Sequence, residues 1–147
     1  MPAYWDCRFK GDIKDQEEAL RVSTTVYVGN LSYYVTEDQL CELFGRVGEV
    51  KRVVMGIHRF KKTPCGFCFV IFYTHFEATD AIRFLNGTTL GGRPIRVDLD
   101  TGFEEGRQYG RGMHGGQVRD EYRDKYDPNR GGFGQMVNMT GNTNNAC

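Results

Sequence analysis

Four stretches of this 147-residue chain carry side chains suited to holding a flat, charged ligand. In IRVDLD (95–100), strand alternation sends Ile95, Val97 and Leu99 to one face and Arg96, Asp98 and Asp100 to the other. Neighbouring carboxylates accept from adjacent N–H donors, such as the N1–H and N2–H₂ edge of guanine, and an arginine donates to its O6. In VYVGNL (26–31) and CGFCFVIF (65–72) the same alternation groups Tyr27, Phe67 and Phe69 on one face, a surface on which rings can stack. RQYGRGMHGGQVRDEYR (107–123) has four arginines for anionic groups and four glycines that let the backbone come close to them.

A guanine methylated at N7 suits this combination because its ring is cationic. Stacking on an aromatic face then gains a cation–π contribution of about 0.5–2 kcal/mol, and carboxylates at the rim attract the ring. Blander readings stand beside this one. The acidic residues of 95–100 could protect a sheet edge from aggregation. The aromatic trio could be core beneath a covering helix, and 107–123 could be a solvated Gly-Arg linker.

The elements that must hold these residues lie in 24–100. TTVYVGN (24–30) alternates as a half-buried strand, and a helix follows with Thr36 and Gln39 as a capping box and Leu40, Leu43, Phe44 and Val47 on its buried face. EVKRVVMGI (49–57) is predicted as a second strand, HRFKKTPC (58–65) as a basic loop, and GFCFVIFY (66–73) as a third strand, apolar on both faces. Thr74 and Glu77 cap a second helix buried through Ala78, Ala81, Ile82 and Leu85, and Asn86-Gly87 ends it. PIRVDLD (94–100) completes the order βαββαβ, with Pro94 at the start of its strand. That order predicts an α+β, ferredoxin-like fold: a four-stranded antiparallel sheet with two helices on one face. No segment is obviously assigned to cover the other face.

The flanks differ in kind. Residues 1–23 are predicted as a polar N-terminal arm, 101–133 as a Gly/Arg-rich extension and 134–147 as a disordered tail; ten of the nineteen glycines lie in 101–147. Formal net charge is zero, so nucleic acid has no broad positive field to meet and must be held locally. Five scattered cysteines and the absence of a signal-peptide pattern predict a reducing compartment, and no apolar run reaches membrane-spanning length, which predicts no membrane partner. Cys65 and Cys68 have CxxC spacing, but in a strand they point to opposite faces, which argues against a metal site. His58, His75 and His114 form no catalytic constellation, so the expected function is binding, without a nucleophile, metal or cofactor.

VYVGNL and CGFCFVIF resemble the RNP2 and RNP1 motifs of the RNA recognition motif, whose aromatics stack on bases. Cys65 departs from the Lys or Arg usual at its position and removes a phosphate contact. The likeness extends further. FKGD (9–12), TVYVGNLSYYVTEDQL (25–40), KKTPCGFCFV (61–70), GFEEGRQYGRG (102–112) and GGQVRDEYR (115–123) resemble the small-subunit family of the nuclear cap-binding complex.

That resemblance implies binding of the 7-methylguanosine triphosphate cap of capped RNA, in the nucleus with shuttling to the cytoplasm, beside a large helical-repeat subunit. It implies that Tyr4 and Tyr27 enclose the methylguanine and that Arg96, Asp98 and Asp100 read its edge. Arg107, Arg111, Gln117, Val118 and Arg119 would hold the triphosphate, Tyr122 would stack on the next base, and Phe67 and Phe69 would support the pocket floor. Leu99 departs from the tryptophan expected between the two aspartates. The segment 107–123 is expected to be mobile in the free protein and to order over the cap, helped by a partner that preorganises it.

Overall fold

Alternating apolar residues in 25–100 build a sheet with a dry face and a second, aromatic face. A computed structural model describes residues 11–135 of the chain. The sheet strands are β1 (Thr25–Gly29), β2 (Val50–Ile57), β3 (Pro64–Phe72) and β6 (Arg96–Asp100), in the order β2-β3-β1-β6 with every neighbouring pair antiparallel. Helices α2 (Glu37–Gly45) and α3 (His75–Leu85) pack on one face, as the βαββαβ order predicts.

Both predicted capping boxes form. The Thr36 hydroxyl accepts from the Gln39 N–H at 3.2 Å while the Gln39 side chain accepts from Thr36 N–H at 2.9 Å. Thr74 and Glu77 make the equivalent pair at the start of α3. Between helices and sheet, Val26, Val28, Cys68, Val70 and Val97 meet Leu40, Phe44, Ala78 and Ala81, all of them without solvent exposure. Each fully buried large apolar side chain contributes on the order of 1.5–3 kcal/mol, so this layer supplies most of the domain's hydrophobic stabilisation.

Three local features differ from the sequence-based picture. Residues Ile13–Val22 form a helix, α1, opened by a capping box between Asp12 and Asp15. Its buried residues are Gln16 and Leu20, too sparse a stripe to declare a helix by periodicity. Pro94 does not open the fourth sheet strand: it pairs with Thr89 in a small hairpin of β4 (Thr89–Leu90) and β5 (Arg93–Pro94), and the sheet strand starts at Arg96.

The third difference concerns the face left without an assigned cover, which lies under residues of the C-terminal extension. Phe67 and Phe69, expected at an exposed centre, are only 5% and 2% accessible. Phe103 packs on Phe69 with ring centroids 5.5 Å apart, and Arg52 lies over Phe103. The extension is tied to the edge strand β2 through Ile57, whose N–H donates to Gln108 O at 2.8 Å and whose carbonyl accepts from Gly110 N–H at 3.0 Å. An edge strand has such unpaired main-chain groups to offer. The segment 107–123, expected to be mobile, is seated here; it contains a short helix α4 (Val118–Tyr122) and is followed by a 3₁₀ turn (Pro128–Arg130).

Candidate nucleotide-binding site

The site grows from the register of three strands. Tyr27 stands opposite Phe69 on β3 and opposite Asp98 on β6, so one ladder row carries a stacking ring between an aromatic and a carboxylate. Tyr27 and Phe67 are stacked at 5.8 Å with 26° between planes, and Phe69 meets both edge-on. Gly56 makes room for this: a Cβ there would lie 2.4 Å from the Phe67 ring.

A cavity of about 280 Å³ opens over these rings. Tyr27, Phe67 and Phe69 contribute its aromatic side; Arg107, Arg111, Gln117, Val118 and Arg119 come from the extension. Eight of the residues singled out in the sequence are thus brought to one place. Burial pushes the Tyr27 hydroxyl above its ordinary pKa and holds Arg119 below the usual arginine value, the latter with help from the nearby charge of Arg130.

The remaining candidates take different positions. Asp98 lies beside Tyr27, and Arg96 Nε donates to its Oδ2 at 2.7 Å on the same face of β6. Asp100 is fully buried, and Arg107 grips it through both terminal nitrogens. Gln117, assigned by resemblance to the triphosphate, donates from Nε2 to the Tyr27 hydroxyl at 2.8 Å and accepts at Oε1 from Arg130. Val118 opens α4 and is half exposed; Tyr122 closes it, exposed, and is not among the residues lining the cavity. Tyr4 lies outside the described residues.

Sequence reasoning missed Phe103, Asp120 and Arg130. Phe103 adds a ring to the aromatic cluster. Asp120 and Arg130 form a buried ion pair within the extension, at 2.7 Å. Phe103 sits in a stretch already noted for its resemblance, so a search for further aromatics there would have found it; Arg130 gives no local signal, because its partners are distant in sequence. Cys65 and Cys68 do fall on opposite faces, in the aromatic cluster and the dry core respectively.

The sheet with its RNP-like strands and aromatic row defines an RNA recognition motif protein. That family matches residues 26–96. A solved relative, described as the crystal structure of RNA Binding Protein PG1, is 31% identical with a TM-score of 0.53, covering 56% of this chain and all of its own.

Likeness to curated proteins covers nearly the whole chain. Nuclear cap-binding protein subunit 2 of Caenorhabditis elegans is 60% identical across 96% of this chain and 89% of its own. The Gallus gallus protein of the same name is 60% identical across 92% and 81%. The chain belongs to the nuclear cap-binding protein subunit 2 family.

Proposed function

We propose that the protein binds the 7-methylguanosine 5′ cap of nuclear RNA polymerase II transcripts as the small subunit of a heterodimeric nuclear cap-binding complex, supporting RNA processing and export. The chain divides for this purpose into an N-terminal arm (1–23), the recognition motif (24–100), a cap-binding extension (101–133) and a tail (134–147). The large partner is a helical-repeat subunit, and the complex works in the nucleus and shuttles to the cytoplasm.

The observation that carries the reading is the pairing of Tyr27 with Asp98 beside a cavity bordered by Arg107, Arg111 and Arg119. Tyr27 offers a π-face to the cationic methylguanine, and Tyr4 of the arm closes the other side. Asp98 accepts from the purine N–H edge, and Arg96 beside it donates to O6. The arginines neutralise the triphosphate through charge-assisted hydrogen bonds, and Tyr122 stacks on the following base. The chemistry is recognition: these groups hold charge in place and transfer nothing.

Titration with methylated and unmethylated cap dinucleotide, with and without the large subunit, tests the reading. At least tenfold preference for the methylated form is expected; equal binding in both settings refutes it.

A further inference from the structure

Arg130 is the largest fully buried side chain among the described residues, yet it does not line the aromatic cavity. Its guanidinium occupies a hole walled by main-chain oxygens at the ends of β1 and β3. Nη1 donates to Leu31 O at 2.6 Å and to Gly66 O at 3.2 Å, and Nη2 reaches Cys65 O at 3.4 Å. Gly66 makes the approach possible, since a Cβ there would lie 2.1 Å from Nη1.

The rest of the fork turns to the extension. Nε donates to Asp120 Oδ1 at 3.1 Å, and Nη2 donates to Asp120 Oδ2 at 2.7 Å and to Gln117 Oε1 at 2.6 Å. Burial works against the charge, but the hydrogen bonds and field of Asp120 more than offset it, and the guanidinium stays protonated.

A guanidinium can only donate, which fixes the orientation of the Gln117 amide. Oε1 must face Arg130, so the NH₂ group faces the other way and donates to the Tyr27 hydroxyl at 2.8 Å. Turning the amide over would set two donors against each other at Arg130. The result is a relay from a buried cation, through one amide, to the ring that forms the stacking platform.

We propose that Arg130 is a positioning residue for cap recognition: it sets the Gln117 amide and through it the Tyr27 ring, without touching the ligand. The proposal rests on the cap-binding reading above. A lysine at 130 keeps the charge but cannot reproduce a planar fork that serves Gln117, Asp120 and three carbonyls together. Asp120 retains Arg123 as a second cationic partner, so its charge is not left alone in such a variant.

The test is titration of methylated cap dinucleotide into the full chain assembled with its large partner, for wild type, R130K, Q117A and the double variant. R130K is expected to lose tenfold or more in affinity, and the double variant no more than the worse single, because Gln117 transmits the effect. Losses that multiply would mean that Arg130 acts independently of Gln117 and overturn the proposal, as would R130K affinity within twofold of wild type. A general loss of fold stability would not produce the non-additivity. Should R130K fail to assemble, D120N weakens the same fork while leaving Arg130 in place: a threefold or greater loss is expected, and unchanged affinity overturns the proposal. A wild-type complex indifferent to methylation refutes the cap-binding reading, and this proposal with it.

Discussion

Arg107 holds Asp100 at two points, with Nη1 2.6 Å from Oδ2 and Nη2 2.9 Å from Oδ1, and the same guanidinium lies 4.8 Å over the Phe69 ring. The family resemblance implies opposite ends of the ligand for the two residues, guanine edge and triphosphate, yet in the structure they bind each other. Asp100 also accepts from the Gly102 N–H at 3.0 Å, which fixes the turn from β6 into the extension. The carboxylate thus secures the start of the segment that borders the cavity.

Asp100→Asn is therefore expected to lower both stability and methylated-cap affinity. Loss of one partner of a buried ion pair costs about 3–5 kcal/mol, and the side-chain amide recovers part of this through hydrogen bonding. Chemical denaturation measures the first effect. For the second, Asp100→Ala should impair methylated-cap binding far more than binding of a plain oligoribonucleotide; equal losses would show that the segment Asp100 secures takes no particular part in reading the cap.

Tyr27→Phe and Tyr27→Ala separate the platform from its tether. The phenylalanine keeps the π-face but leaves the Gln117 Nε2 donor without the hydroxyl it now reaches at 2.8 Å. A net cost of about 1–3 kcal/mol follows from an unsatisfied donor, which corresponds to roughly 5- to 150-fold in affinity if it falls wholly on binding. The alanine should lose more, since stacking goes as well; a phenylalanine variant as weak as the alanine would mean that the hydroxyl matters more than the ring.

Gly66→Ala joins two penalties at one position. Its φ of +93° is strained for any residue with a Cβ, and that Cβ would collide with Arg130. Strain alone costs on the order of 1–3 kcal/mol. Urea unfolding should show a destabilisation of at least that size, accompanied by weaker cap binding as Arg130 is displaced.

His58 gives the extension a pH dependence. Its Nδ1 accepts from the Phe60 and Lys61 N–H groups, and burial, with the charges of Lys61 and Arg59, lowers its pKa. Protonation removes the acceptor. Because the folded pKa is depressed, this contribution is fully present above the ordinary histidine value near 6.5 and is lost as pH falls through the lower folded value. Arg59 N–H donates to Gly115 O next door, so hydrogen exchange at Phe60, Lys61 and Arg59 should accelerate, relative to the intrinsic rate, in mildly acidic solution. His58→Phe, which has no acceptor, should show weak protection already at neutral pH.

The sheet and its two packed helices were legible because burial imposes a period: Val26, Val28, Cys68 and Val70 had to share a face, and Thr36 and Thr74 carried their glutamine and glutamate partners at the right spacing. The aromatic row and the acidic edge followed from the same rule. What covers that row did not, since docking of 101–135 depends on Ile57 main-chain groups and on one arginine reaching carbonyls at 31, 65 and 66, for which side-chain patterns hold no code. Gln117 was singled out by resemblance to a family site, but its partners Tyr27 and Arg130 emerge only from tertiary structure. Helix α1 was hidden because charge fills most of its surface.

The pairing of Tyr27 with Asp98 makes the interval between platform and rim a property of the backbone. Adjacent strands are held about 4.8 Å apart by their ladder, and no loop length alters that figure. The pocket's gauge is consequently built into the sheet itself, so insertions in the connecting turns can reshape what surrounds the base while leaving unchanged the span across which it is measured.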